Sequence, residues 1–148
     1  MKITIPRNVL APFRKQCREA YPKETIGVLH GVRTEAGDLI IAQIKSIPHT
    51  ASEDGINYGG QVYRSKMKAL RAGADWLGTI HSHPWTEQCQ TCPHPSETDV
   101  KSGLEFGEAV MGIVYVFLDE PLKAGVKPKL RTSVHWYVPS PIPEVEMV

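Results

Sequence analysis

The chain has 148 residues, which is enough for one domain with its own hydrophobic core. Its 17 Lys and Arg residues nearly balance its 16 Asp and Glu residues, and this net charge of +1 argues against a nucleic-acid-binding surface or a polybasic membrane anchor. The N-terminus lacks the apolar core of a signal peptide, and no apolar run has the ~20 residues that span a bilayer. Three cysteines, an odd number, do not suit a secreted disulfide framework. We therefore expect a cytoplasmic protein that binds neither nucleic acid nor membrane.

One amphipathic helix and several short strands are predicted in the first part of the chain. Leu10, Phe13 and Cys17 recur at the spacing of one helix face. This pattern predicts a helix from about Arg7 to Ala20, and Pro22 ends it. The other predicted elements are strands at Lys2–Ile5, Thr25–Val32 and Leu39–Ile47, a hairpin turn at Glu35–Asp38 and an exposed loop at Pro48–Gly60.

Helices, strands and a long loop alternate in the predicted second part. A helix over Gln61–Ala72 is followed by Gly73 at the position of a C-terminal cap. Ala109–Leu118 is a nearly continuous apolar run, which is typical of a central buried strand. The remaining elements are a strand at Trp76–His83, a loop at Pro84–Pro95, a helix that begins near Ser96, and a last strand at Thr132–Val138. We predict one α/β (α+β) domain over residues 1–138 and a proline-rich tail over residues 139–148.

A His-x-His pair lies in the predicted strand Trp76–His83. Residues i and i+2 of a strand project from the same face, so His81 and His83 can bind one ion while Ser82 points away. Asp99 offers a carboxylate oxygen, and three protein ligands with one open position are the pattern of a catalytic zinc site. The alternative is that the two histidines simply face solvent.

Ser96 and Asp99 also fit a structural role, because Pro-Ser-x-x-acid is close to the capping box that begins a helix. The two roles are compatible, since a capping serine fixes the first helical turn and holds Asp99 toward the strand. Upstream, Glu24 precedes an apolar strand that contains Gly27 and Gly31. Taken alone, Glu24 is most simply a solvated turn residue.

Together these motifs resemble those of the JAB1/MPN/Mov34 metalloenzymes, the JAMM peptidases. The signature of that family is a glutamate before a Gly-x-Leu-x-Gly-like strand, then His-Ser/Thr-His-Pro, then Ser-x-x-Asp. The chain has Glu24 before Gly27-Val28-Leu29-His30-Gly31, then His81-Ser82-His83-Pro84, then Ser96-Glu97-Thr98-Asp99. The likeness covers about Lys2–Val138, and the small single-domain form is similar to the prokaryotic members. It implies the MPN, cytidine-deaminase-like fold, with a central mixed β-sheet flanked by about three helices.

The resemblance implies a role for each residue of the motifs. His81, His83 and Asp99 would bind one catalytic Zn²⁺ ion. Glu24 would be the general base toward a metal-activated water, and the Ser96 hydroxyl would bind the developing oxyanion. The implied reaction is hydrolysis of the amide bond after the C-terminal tail of a ubiquitin-like protein, in deconjugation or precursor processing.

The implied partners are a ubiquitin-like protein or its conjugates, with E1- or E2-like proteins from the same operon. Family members bind the extended tail as an added strand beside the metal. In this chain that edge would lie near the Trp76–His83 strand and the Pro48–Gly60 loop. The alternatives are a JAMM peptidase for sulfur-carrier, cell-wall or phage-tail peptides, and a non-catalytic MPN binding scaffold. The complete ligand and base set argues against the scaffold, since degenerate members lose ligands.

The chain departs from the family between the two zinc motifs, where Pro84–Pro95 is a longer gap than the family usually has. The gap contains Cys89, Cys92 and His94. Three roles are open: these residues can hold a second zinc ion, the two cysteines can form a redox pair, or they can be two free thiols. A single Cys-x-x-Cys lacks the second pair of ligands that is typical of structural zinc sites. The insertion puts the substrate fit and the alignment of Ser96 in question.

Overall fold

A computed structural model of the protein describes residues 1–47, 50–52, 55–57, 64, 66–69, 71, 75–85, 94–139 and 146–147. Its elements are, in chain order, β1 (Ile3–Thr4), α1 (Arg7–Ala20), β2 (Ile26–Arg33), β3 (Leu39–Ser46), β4 (Thr50–Ser52), β5 (Gly55–Asn57), β6 (Asp75–Pro84), α2 (Glu97–Phe106), β7 (Val110–Leu118), β8 (Leu130–Val138) and β9 (Glu146–Met147). Residues 64, 66–69 and 71 are also helical, within the predicted helix Gln61–Ala72. None of the helices in the described part of the chain is long and apolar enough to cross a membrane.

Seven strands form one mixed sheet in the order β1-β3-β2-β6-β7-β8-β9. β1 is parallel to β3 and β6 is parallel to β7, whereas the other neighbouring strands are antiparallel. A parallel pair needs a crossover connection, and the one between β6 and β7 contains α2. This mixed sheet with flanking helices confirms the predicted fold class.

α1 covers one face of the sheet. Phe13 and Cys17, which lie on the predicted apolar face of this helix, are only 4% and 1% exposed. They belong to a buried cluster with Leu29, Ile80 and Val114 of the central strands. Burying an apolar side chain of this size contributes about 1.5–3 kcal/mol. The cluster therefore holds β2, β6 and β7 against α1.

The opposite face of the sheet carries a smaller apolar cluster beneath α2. Ile26 and Val28 are buried there, and Phe106 at the end of α2 packs against the cluster. In the β2–β6 ladder Ile26 pairs with His81 and Val28 pairs with Thr79. Paired residues share a face, so both polar side chains project toward α2.

Two segments differ from the sequence-based expectation. The predicted loop Pro48–Gly60 contains the antiparallel pair β4–β5, and such three-residue strands are too short for a period-two pattern to reveal. In the predicted tail, β9 pairs with Tyr137 and Val138 of β8 and so extends the sheet. Residues 86–93 of the predicted long loop and the rest of the tail lie outside the described residues, and the domain limit at residue 138 stays a prediction.

Candidate metal centre

β6 presents two histidines on the face of the sheet covered by α2. His81 and His83 are 3% and 7% exposed, so the alternative of two solvent-facing histidines is wrong. Ser82 points to the other face, toward Cys17 of α1, where its hydroxyl partly offsets the effect of burial on the pKa of that thiol. That hydroxyl also accepts a hydrogen bond from the Thr25 backbone N–H at 2.8 Å. The predicted alternation along His-Ser-His is therefore confirmed.

Asp99 reaches the same place from the first turn of α2. The Ser96 hydroxyl accepts a hydrogen bond from the Asp99 backbone N–H at 3.1 Å, and Asp99 Oδ2 accepts one from the Ser96 backbone N–H at 2.8 Å. This reciprocal pair is the predicted capping box at the start of the helix. The helix cap thus holds the carboxylate in position without help from a metal.

The three side chains meet with their ligand atoms turned toward one another. His81 Nε2 is 3.0 Å from His83 Nε2 and 3.4 Å from Asp99 Oδ1, and His83 Nε2 is 3.1 Å from Asp99 Oδ2. Ligand atoms around a tetrahedral zinc ion are about 3.3 Å apart when each bond is about 2.0–2.1 Å long. Because the observed distances are close to this value and the donors are two imidazoles and a carboxylate, the residues fit a zinc ion. Among the described residues, this is the one group of at least three potential ligands.

The charges of the three groups are strongly coupled. Burial lowers the pKa of His81, but the charge and the hydrogen bond of Asp99, together with the nearby acids, outweigh burial and raise that pKa above its ordinary value. Glu24 and Glu108 act in the same direction. Burial likewise raises the pKa of Asp99, whereas the imidazoles of His81 and His83 hold it well below its usual range. The Asp99 carboxylate thus favours positive charge at His81, and a divalent cation would supply that charge in place of a proton.

Glu24 lies immediately before β2, next to the metal ligands. Ile26 pairs with His81 at the end of the β2–β6 ladder, so Glu24, two residues earlier, comes beside the same end of β6. The Tyr21 hydroxyl donates to the Trp85 carbonyl at 2.5 Å and ties the segment before Glu24 to the segment after β6. The structure thus brings the predicted base to the predicted ligands, although they are far apart in sequence.

The same face carries a buried polar pair that the sequence patterns did not predict. Glu108 is 9% exposed, and its carboxylate accepts a hydrogen bond from the Thr79 hydroxyl. Burial raises the pKa of Glu108 to about 7, against the opposing effect of the Thr79 hydrogen bonds. No local pattern indicates this burial, because an acid directly after the helix-ending Gly107 is ordinarily solvated.

The second zinc site, one of the three roles considered for Cys89 and Cys92, is only partly covered by the structure. Cys89 and Cys92 lie outside the described residues, so their role stays a prediction. His94 is exposed, and its Nδ1 lies 3.4 Å from the Tyr137 hydroxyl. Cys17 is buried, and burial raises the pKa of its thiol to about 12, which suits an unreactive core residue.

The fold and the site define an α+β domain able to bind one metal ion through two histidines of β6 and an aspartate of α2. The family model for prokaryotic homologs of the JAB domain matches residues 6–128. The chain belongs to this family, which confirms the resemblance found in its motifs. JAB/MPN domains include both peptidases and non-catalytic members. No curated protein matches the chain.

Solved structures share the architecture. A protein from Desulfitobacterium hafniense is 19% identical over 99% of this chain and 89% of its own, with a TM-score of 0.66. A protein from Salinibacter ruber is 24% identical over 100% of this chain and 88% of its own, with a TM-score of 0.60. A JAB1/MPN domain protein from Archaeoglobus fulgidus is 23% identical over 78% of each chain, with a TM-score of 0.49. At these identities, the first two similarities support the fold alone.

Proposed function

We propose that the protein is a zinc-dependent isopeptidase or peptidase that hydrolyses the amide bond after the C-terminal tail of a ubiquitin-like protein. The observation that supports this most is the triangle of the buried His81 and His83 with the half-buried Asp99, with Glu24 beside it. Three protein ligands leave one position for water or substrate, as in catalytic zinc sites. Burying ionisable groups costs free energy, and a purely structural scaffold gains nothing from placing two imidazoles and a carboxylate here.

The chain supplies the groups for proton transfer. Zinc, when bound, lowers the pKa of a coordinated water and polarises the scissile carbonyl. Glu24 would accept the proton of the attacking water on a carboxylate oxygen. The water oxygen adds to the carbonyl carbon, the C–N bond breaks, and the amine nitrogen leaves with the proton that Glu24 carried. This sequence needs no covalent bond between enzyme and substrate.

Ser96 can combine capping with oxyanion binding. Its oxygen accepts the hydrogen bond from the Asp99 N–H, which leaves its own hydrogen available to donate outward. That hydrogen would bind the carbonyl oxygen of the substrate as negative charge develops on it. The two roles use different parts of one hydroxyl group, so they do not compete.

The tail of a ubiquitin-like protein suits this site because an extended peptide can add to a free strand edge. The edge is expected near the Trp76–His83 strand and the Pro48–Gly60 loop, and β6 itself is paired with β2 and β7 on its two sides. Among the described strands, β4 and β5 pair only with each other. We therefore propose that the tail adds to this pair, within the predicted Pro48–Gly60 segment.

A panel of substrates tests the proposed activity. The zinc-loaded protein is incubated with a ubiquitin-like protein carrying a C-terminal extension, its isopeptide conjugate, an extended sulfur-carrier protein and a cell-wall peptide, and the products are identified by mass spectrometry. We expect a cut directly after the ubiquitin-like tail, abolished by a chelator and by Asp99→Ala but not by the surface change Glu105→Gln. A cut in the sulfur-carrier or cell-wall substrate alone would select the alternative peptidase. No cut by the zinc-loaded protein in any substrate would support the scaffold.

A further inference from the structure

Glu108 follows the helix-ending Gly107, yet its side chain turns inward under the sheet face that carries the metal ligands. It is the one carboxylate among the buried residues of the described chain. Its backbone N–H donates to the Gly103 carbonyl at 2.9 Å, and its side chain accepts a hydrogen bond from the Thr79 hydroxyl. Because a buried carboxylate is unfavourable unless its oxygens are hydrogen-bonded, these contacts make a dedicated site for it.

α2 provides the space that this carboxylate fills. A Cβ at Gly103 would stand 2.8 Å from Glu108 Oε2, so any larger residue would displace the carboxylate or the helix. Glycine is unfavourable in the interior of a helix. The position of Glu108 gives a physical reason for glycine at this point of α2.

His81 has an unpartnered atom on the same face. Thr79 and His81 are two residues apart on β6, so the carboxylate held by Thr79 lies along the row of side chains that leads to the imidazole. His81 Nδ1 is buried and has no hydrogen-bond partner within the described ranges. The charge of Glu108 acts on the His81 imidazole, since it contributes to the raised pKa of that group.

We propose that Glu108 is a positioning residue for the metal ligand His81: its carboxylate accepts the Nδ1–H hydrogen of His81, directly or through one water, when Nε2 binds the ion. This role rests on the proposed function, because it requires a metal at Nε2. A neutral imidazole that gives Nε2 to a metal carries its hydrogen on Nδ1. Metal-binding histidines donate this hydrogen to a carboxylate, a carbonyl or water, which fixes the ring and raises its basicity.

Zinc affinity provides the first test. The dissociation constant for Zn²⁺ is measured by competition with a chromophoric chelator, at one pH, for the wild type, Glu108→Gln and Glu105→Gln. Glu105 is exposed on α2 and is the matched control. We expect Glu108→Gln to weaken zinc binding by about 10–100-fold, with little change for Glu105→Gln. Equal affinity of Glu108→Gln and wild type would overturn the role of Glu108, whereas a wild type that binds no zinc would overturn the proposed function.

Two further measurements separate positioning from a general structural role. In thermal unfolding with a chelator and with excess zinc, Glu108→Gln should show a smaller zinc-induced rise in Tm than the wild type. An equal rise would count against positioning. If the variant does not fold, the hydrogen bond of His81 Nδ1 can still be tested by NMR of the zinc-loaded wild type. The Nδ1 hydrogen of His81 should give a downfield resonance protected from exchange, and rapid exchange without a downfield shift would overturn the assignment.

Discussion

The two proposed roles of Ser96, helix capping and oxyanion binding, can be distinguished by the size of the effect that each has when the hydroxyl is removed. Ser96→Ala removes the hydroxyl that accepts the Asp99 backbone N–H at 3.1 Å. It leaves the second half of the capping box, in which Asp99 Oδ2 accepts the Ser96 backbone N–H at 2.8 Å. The carboxylate therefore keeps one of its anchors, and zinc binding should change little.

The expected sizes of the two effects differ by more than tenfold. Replacing a capping serine by alanine costs about 1 kcal/mol of helix stability. Even if all of that free energy were taken from metal binding, the zinc affinity would fall only about fivefold. Removing a hydrogen-bond donor to the oxyanion, in contrast, lowers kcat by about 10²–10³-fold.

The assay compares zinc affinity, the free energy of unfolding and kcat for the wild type, Ser96→Ala and Ser96→Thr. Threonine keeps a hydroxyl that can cap the helix and donate to the substrate, so it is the matched control. We expect Ser96→Ala to lose kcat far beyond its loss of zinc affinity and Ser96→Thr to retain most of both. If the kcat of Ser96→Ala falls no more than its zinc affinity, Ser96 only caps the helix and the oxyanion role is refuted.

Three further predictions follow from the charges and packing around the site. Zinc affinity should fall by about tenfold per pH unit below the pKa of His81, because Asp99 raises that pKa and the metal must displace the proton. A zinc affinity that does not change between about pH 5 and 8 would contradict this. Gly103→Ala should destabilise the protein by about 1–3 kcal/mol in urea unfolding. The added Cβ would lie 2.8 Å from Glu108 Oε2 and 2.8 Å from Pro139 Cγ. A gain in stability would show that these neighbours move aside without cost. In the chelated protein, the pKa of Glu108 rises from 4.5 in the unfolded chain to about 7 in the folded protein. The folded state therefore binds this proton more tightly. The stability that the proton contributes is present below pH 4.5 and is lost as the pH rises through about 7. The loss is about 3 kcal/mol, and Glu108→Gln should flatten this slope, while an unchanged slope would assign it to other groups.

The parts of the site encoded by local periodicity could be predicted from the sequence. The two-residue spacing of His81 and His83 indicates one shared strand face, and the Ser96-to-Asp99 spacing indicates a helix cap. Both arrangements are present in the structure, because each depends only on backbone geometry within a few residues. The helix at Arg7–Ala20 was predictable for the same reason, because its apolar residues recur at helical spacing along one face.

The parts that depend on long-range pairing could not be predicted from local pattern. Glu24 reaches the ligands only through the antiparallel pairing of β2 with β6, and on local grounds it was no more than a turn residue. The family resemblance, and not the local sequence, indicated its role. Glu108 carries no sequence signal, because its burial depends on the space at Gly103 and the hydroxyl of Thr79. The strands β4 and β5 are too short to show alternation.

The central claim is that Glu24 transfers the proton in hydrolysis at a zinc site formed by His81, His83 and Asp99. It is tested most directly by comparing the zinc-loaded wild type with Glu24→Gln, which keeps the side-chain size but cannot accept the proton. Metal content per chain and the cleavage rate of an extended ubiquitin-like protein are measured on the same samples. We expect equal zinc content of one ion per chain and a loss of cleavage of about 10²–10⁴-fold in the variant. Equal cleavage by two equally zinc-loaded proteins would contradict the account.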